Sequence, residues 1–506
     1  MAKVRYLFCL YLFLASASLF AQEPSQPVRL ELDFDYERTY AEVIALPDSS
    51  LLLYNKTVNS WGSEASFHFT KYNYKLDKIW SNSAEIPVRS HYLHYFTEAP
   101  YTYLIFGEET NAQKYHIVRI NLLSGDLQYK EYGIEAIDAV FDFKVLYGRY
   151  FIIGRNRSSS QPLLLHLNPA DGQIKLLPAV YGDESSFSDL MADPVNKRID
   201  VVMTESNGRV SRLQVKSFDA NGELLSNHFI LQQDNKSLLN AEITPGDTTS
   251  RMLIGSFGTR DLRYTQGFFT TSMATNASDG QFYNILQLKN FLKYMKPRRE
   301  ARTRRREASR LKAGKNPKLR YRLLFHDLIT TPTGYILPAE VYYPQYRSNM
   351  SSWSVNPYMA HNQGLYRNNT PTLSRGPDGY KRTHAVALGF DKNGVLLWDN
   401  AFPLINVVSY SLVYTLEVAY APDGRVIMAY PEDEKIFYHV MKEDKFSDEK
   451  TELTLLTYED DEKIVSSEEV GIIKWYDGNF AAFGFQHVKP KSGMSRKVFY
   501  INKISF

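Results

Sequence analysis

Two imidazoles three positions apart, in His91-Tyr92-Leu93-His94, are the nearest approach to a zinc-binding pair in this chain. A zinc helix sets its histidines one turn apart with a glutamate between them, so that both rings reach one ion. That glutamate is missing here, and on a strand residues three apart face opposite sides, so no metal site is expected. His326-Asp327 lies near Glu340 in sequence. General acid/base work needs such groups within hydrogen-bond reach of each other, but a satisfied polar pair at a strand end is the simpler expectation. Asp219-Ala220-Asn221-Gly222 and Asp391-Lys392-Asn393-Gly394 share the opening rhythm of a calcium loop. They lack its remaining ligands and distal glutamate, and hairpin turns account for both. The acidic run Glu459-Asp460-Asp461-Glu462 reads as a solvated loop. No nucleophile elbow, P-loop or dinucleotide fingerprint occurs, so no cofactor is expected and no catalytic residue is assigned. Carboxylate pairs for glycoside cleavage would come from distant segments and stay hidden in a sequence.

Charge is the stronger signal. From Lys289 to Arg322 there are 15 Lys or Arg against two acids, Glu300 and Glu307, which is +13 in a chain whose formal total is +3. The rest of the chain therefore carries −10. The cluster centres on Arg298, Arg299, Arg302, Arg304, Arg305, Arg306 and Arg310, the residues assigned here to partner binding. Three readings compete for it. A solvated helical hairpin could lie on the acidic remainder and brace two structural units. A docking arm could engage an acidic envelope protein or an anionic membrane surface. Nucleic acid is the weakest partner, since no base-reading module accompanies the charge. A second segment, 347–383, is rich in Asn, Ser, Pro and Gly and carries Trp353, Tyr358 and Tyr366. Aromatics on a long polar loop suit stacking on sugar rings or gripping a peptide.

The elements that must position these groups repeat. Apolar runs recur at Leu51–Leu53, Tyr103–Phe106, Tyr150–Ile153, Val201–Met203, Met252–Ile254, Tyr335–Leu337, Val426–Met428 and Phe480–Phe483, about 50 residues apart once two insertions are allowed for. Turns such as Asp171-Gly172, Asn221-Gly222 and Asn393-Gly394 follow them at similar intervals, where Gly and Asn accept the positive φ of tight hairpins. Such a period with three or four strands per unit predicts an all-β fold, a β-propeller of seven or eight blades with eight preferred. The propeller should form a single domain over 22–506, interrupted by a basic helical arm at 283–320 and the polar loop at 347–383. Ile285, Leu288, Leu292 and Met295 recur at 3-4-3 spacing and predict an amphipathic helix over Asn284–Met295, ended or kinked by Pro297, with a second helix over Arg298–Glu307. Val28–Phe34 should pair with the last blade, since a closed ring leaves no free edge. An outer-membrane barrel is the rival architecture, but Tyr150–Ile153 and Val426–Met428 do not alternate as barrel strands do.

Residues 1–21 have the order of a secretory signal peptide. Lys3 and Arg5 precede an apolar run over Tyr6–Leu14, and small residues lead to cleavage after Ala21 or Ala17. Cys9 is the only cysteine and would leave with that peptide, so disulfides and cysteine chemistry are excluded from the expected mature protein. No later run is long and apolar enough for a transmembrane helix.

Four runs carry a family likeness: Phe282–Met295, Leu319–Asp327, Ala339–Arg347 and Gly389–Asn400. Together they resemble a group of exported β-propeller-like proteins of Bacteroidota without a known activity. The resemblance implies an exported compartment, in the periplasm, at the outer membrane or outside the cell, and no reaction. The expectation is therefore a non-enzymatic envelope protein whose propeller scaffolds protein–protein or membrane-surface contacts. The alternative is a propeller hydrolase or lyase acting on polysaccharide.

Overall fold

The computed structural model describes residues 23–57, 64–109, 111–159, 161–178, 186–231, 236–259, 261–274, 280–345, 379–404, 407–432, 434–446, 451–459 and 462–506. Eight separate antiparallel sheets make the eight blades of a β-propeller. Seven have four strands, and the sixth adds the short strands Ile329–Thr331 and Val408–Ser409 to its four. The first blade shows the pattern: Thr39–Ala45, Leu51–Thr57, Glu64–Tyr72 and Lys78–Pro87, each paired with the next. First strands of neighbouring blades touch one another, which makes them the inner ring.

The apolar runs found by period are the second strand of every blade, not its opening strand. Leu51–Thr57, Arg149–Asn156 and Val426–Glu432 are examples, and Leu51 to Leu53, Phe151 to Ile153 and Val426 to Met428 are all buried. A second strand packs both faces against neighbouring blades, so its apolar residues run on without alternation. Eight hydrophobic layers fill the gaps between blades. Tyr54, Phe67 and Phe106 pack between the first and second, and Phe483, Phe499 and Leu53 between the eighth and first.

Arg29–Leu32 closes the ring as the outer strand of the eighth blade, pairing Arg29 with Asn502 and Leu32 with Phe499. Arg29 ties the seam by donating to Glu31, Asn502, Gln486 and the Leu456 carbonyl. Hairpin turns take the expected form. Asp219 and Asp391 each accept two backbone N–H bonds from their own turns, at 2.8–2.9 Å, and Gly222 and Gly394 follow with φ of +74° and +80°. Both carboxylates are spent on turn formation, as the hairpin reading requires. Glu459–Glu462 lies only partly within the described residues, Asp460 and Asp461 being outside them.

The insertion departs from the periodicity. Asn284 caps only a single 3-10 turn, Ile285–Gln287, and the chain then runs through turns to Lys296. Ile285, Leu288, Phe291 and Leu292 are nevertheless buried, filling the layer between the fifth and sixth blades. Their spacing reflects a plug of core side chains, not a helix face. Pro297, expected to end a helix, instead starts one: α1, Pro297–Lys312. Its missing N–H costs nothing at the first helical position.

Candidate functional site

Two regions bring charged groups together: the basic arm and the central channel. The arm is anchored by Asp399 of the sixth blade, whose carboxylate accepts the backbone N–H of Lys289, Asn290 and Phe291 at 2.7, 2.7 and 2.9 Å. Burial pushes the Asp399 carboxyl up, against the pull of those three bonds. Asn290 donates in turn to the carbonyls of Asp399 and Asp444, and Tyr294 stacks on buried His384 at 4.0 Å.

Helix α1 is then fixed by its own charges. Arg304 donates to Glu300 at 2.7 Å and to the carbonyls of Leu286, Leu288 and Lys289 at 3.0–3.2 Å, capping the turns below the helix. Glu307 is fully buried and accepts from Arg306 at 2.7 Å and from the Lys318 N–H at 2.8 Å, with Arg310 at 3.6 Å. Of the seven arginines assigned to partner binding, Arg304, Arg306 and Arg310 are thus engaged inside the arm. Arg298, Arg299, Arg302 and Arg305 are exposed and form no ion pair among the described residues. From arm to blade, the one ion pair among the described residues joins Lys289 to Asp444. Trp353, Tyr358 and Tyr366 lie outside the described residues.

Of the residues that line the channel, the sequence alone singled out only His326 and Asp327. A cavity of about 390 Å³ is bounded by Glu42, Tyr95, Lys144, His326, Asp327, Glu417, Lys474 and Trp475, from six different blades. Glu42 and Glu417 hold the same register: each pairs with the fourth residue of its blade's second strand, Tyr54 and Ala429. Burial drives both carboxyls up. For Glu42 a hydrogen bond from Tyr40 offsets this in part, and for Glu417 the charge of Lys474 does so. Lys144 is pulled down by burial but held up, on balance, by Asp142 at 3.1 Å and by Asp327.

His326 and Glu340 do meet, at 3.1 Å. Glu340 is fully buried and also accepts from Arg382 at 3.1 Å, from the Thr415 N–H and hydroxyl at 2.7 Å and from the Leu416 N–H at 3.3 Å. Burial alone would raise its carboxyl, but His326, Arg382 and Thr415 outweigh it and hold the group at about 2. This pair bolts the sixth blade to the seventh, and Glu340 has no lone pair left over for proton transfer. His91 and His94 sit on the inner strand of the second blade. No group of three metal-ligating side chains occurs among the described residues.

No family model matches the sequence, and no curated protein matches it. Solved structures give distant likenesses. A europium-containing methanol dehydrogenase has a TM-score of 0.43 at 7% identity, over 96% of this chain and 93% of that one. The β-propeller domain of the Trilobed protease from Pyrococcus furiosus has a TM-score of 0.34 at 8% identity, over 81% and 97%. For cobalt-substituted Synechocystis ACO the TM-score is 0.30 at 7% identity, and the chain spans 61% of that protein's length. Likenesses at these TM-scores carry no statement about fold or activity.

Proposed function

We propose that this protein is a non-enzymatic, exported envelope protein, a propeller scaffold that docks an acidic protein surface through its basic arm. One observation carries the reading. Arg298, Arg299, Arg302 and Arg305 project from a helix whose inner side is tied down, and no acid among the described residues forms an ion pair with them. A brace between blades would turn its cations inward, as Arg304 does. The outer face of α1 is charged, with Leu311 as its exposed large apolar residue. The apolar side chains before it are buried, which leaves little to insert into lipid, and so an acidic protein suits it better than a bilayer. Export rests on the sequence of residues 1–21.

The test is binding of fluorescent poly-glutamate, as a stand-in for an acidic surface, and of anionic and neutral lipid vesicles, at low and at moderate salt. Poly-glutamate should bind, weaken as salt screens the charges, and be lost in Arg298→Glu/Arg302→Glu/Arg305→Glu. Equal binding by the reversed variant would overturn the reading, and preference for anionic vesicles would replace the protein partner with a membrane.

A further inference from the structure

The channel wall contains two orphaned polar atoms on opposite sides of the first-blade seam. Glu42 is 2% exposed, and its Oε2 has no hydrogen-bond partner. Trp475, 8% exposed, has an indole N–H that is likewise unmatched. Both residues line the same 390 Å³ cavity. A buried acceptor and a buried donor without partners each cost stability, and such groups persist where something else completes them. The wall around them is aromatic, with Tyr92, Tyr95 and Phe96. Among its charges, Lys144 is matched by Asp142. Lys474 offsets the charge of Glu417.

We infer that the central channel is a binding site for a small ligand carrying a primary ammonium group beside a hydroxyl or carbonyl oxygen, as in an amino alcohol or amino sugar. The ammonium donates to Glu42 Oε2 and lies against the tyrosine rings, which attract cations through their faces. The ligand oxygen accepts from the Trp475 indole. A metal ion is a poorer occupant, since the described residues offer no cluster of three ligands. A single carboxylate oxygen in an aromatic wall matches one N–H donor. This site is independent of the arm, so either can fail without the other.

Calorimetric titration of the full chain with ethanolamine, glucosamine and N-acetylglucosamine separates the outcomes. Ethanolamine or glucosamine should bind saturably, and N-acetylglucosamine, which lacks the cation, at least about tenfold more weakly. Glu42→Gln should lower amine affinity by about 10- to 100-fold while remaining folded, and Trp475→Phe should weaken all bound probes. The inference is overturned if neither amine binds, if the acetylated sugar binds as well as the amine, or if Glu42→Gln leaves amine affinity unchanged. An unfolded Glu42→Gln would overturn it too, by making Glu42 a structural group, with Glu417→Gln as the folded control.

Discussion

Glu340 accepts bonds from His326, Arg382, Thr415 and Leu416, whereas Glu42 keeps one oxygen bare, so equal burial sends the two carboxyls in opposite directions. Stability then depends on pH with opposite sign at each. Glu340, held at about 2, contributes stability that is fully present above the ordinary carboxylate range and is lost as pH falls toward 2. Urea unfolding followed from about pH 2 to pH 8 should show that acid loss in the native chain and a flatter profile in Glu340→Gln. Glu42 is raised, so its ionisation favours the unfolded chain, and the native protein loses stability as pH climbs above the ordinary carboxylate range. The stability of Glu42→Gln relative to native should therefore improve with rising pH, and a constant difference would contradict the assignment. The satisfied pair of His326 and Glu340 was the simpler expectation from the sequence, whereas the role of Glu42 was not legible there. Glu42 stands as a lone charge among Ala41, Val43 and Ile44, and its register with Glu417 emerges only when the blades are aligned strand by strand.

Periodicity read the elements well where two-sided burial makes a strand continuously apolar, and poorly where it does not. The second strands were found for that reason. The inner strands, such as Lys463–Lys474 with its mixed burial, border the channel and mix polar with apolar residues, so they escaped notice along with the site they form. The insertion misled in a different way. Leu288, Phe291 and Leu292 are spaced by the crevice they fill, and Asp399 captures three N–H groups that a helix would have used. A second helix over Arg298–Glu307 did follow from composition, and it lies within Pro297–Lys312. Phe291→Ala should cost about 3–5 kcal/mol in chemical denaturation, because Phe291 is fully buried in the layer between the fifth and sixth blades. Arg302→Glu, on the outer face of α1, should stay within about 0.5 kcal/mol of native. If both changes cost the same, the division into a core plug and a free outer face fails.

At the scale of the whole molecule, the ring is closed by Arg29–Leu32 on the last blade, and the arm is the charged feature that stands away from it. Eight units and their closure could be read from the recurring runs and turns, because a propeller repeats its burial pattern with every blade. Which of the clustered arginines remain free could not, since that depends on Glu300, Glu307 and the carbonyls that Arg304 reaches. Deleting Lys289–Lys318 would remove Phe291 and Leu292 from the core and confound docking with unfolding. The direct measurement is proximity labelling in the native envelope, comparing the intact chain with Arg298→Glu/Arg302→Glu/Arg305→Glu, alongside the melting temperature of each. The account predicts an unchanged melting temperature with loss of one salt-sensitive acidic neighbour that binds the purified intact chain. An unchanged set of neighbours, or a fall in melting temperature, would contradict it and make the arm a brace between blades.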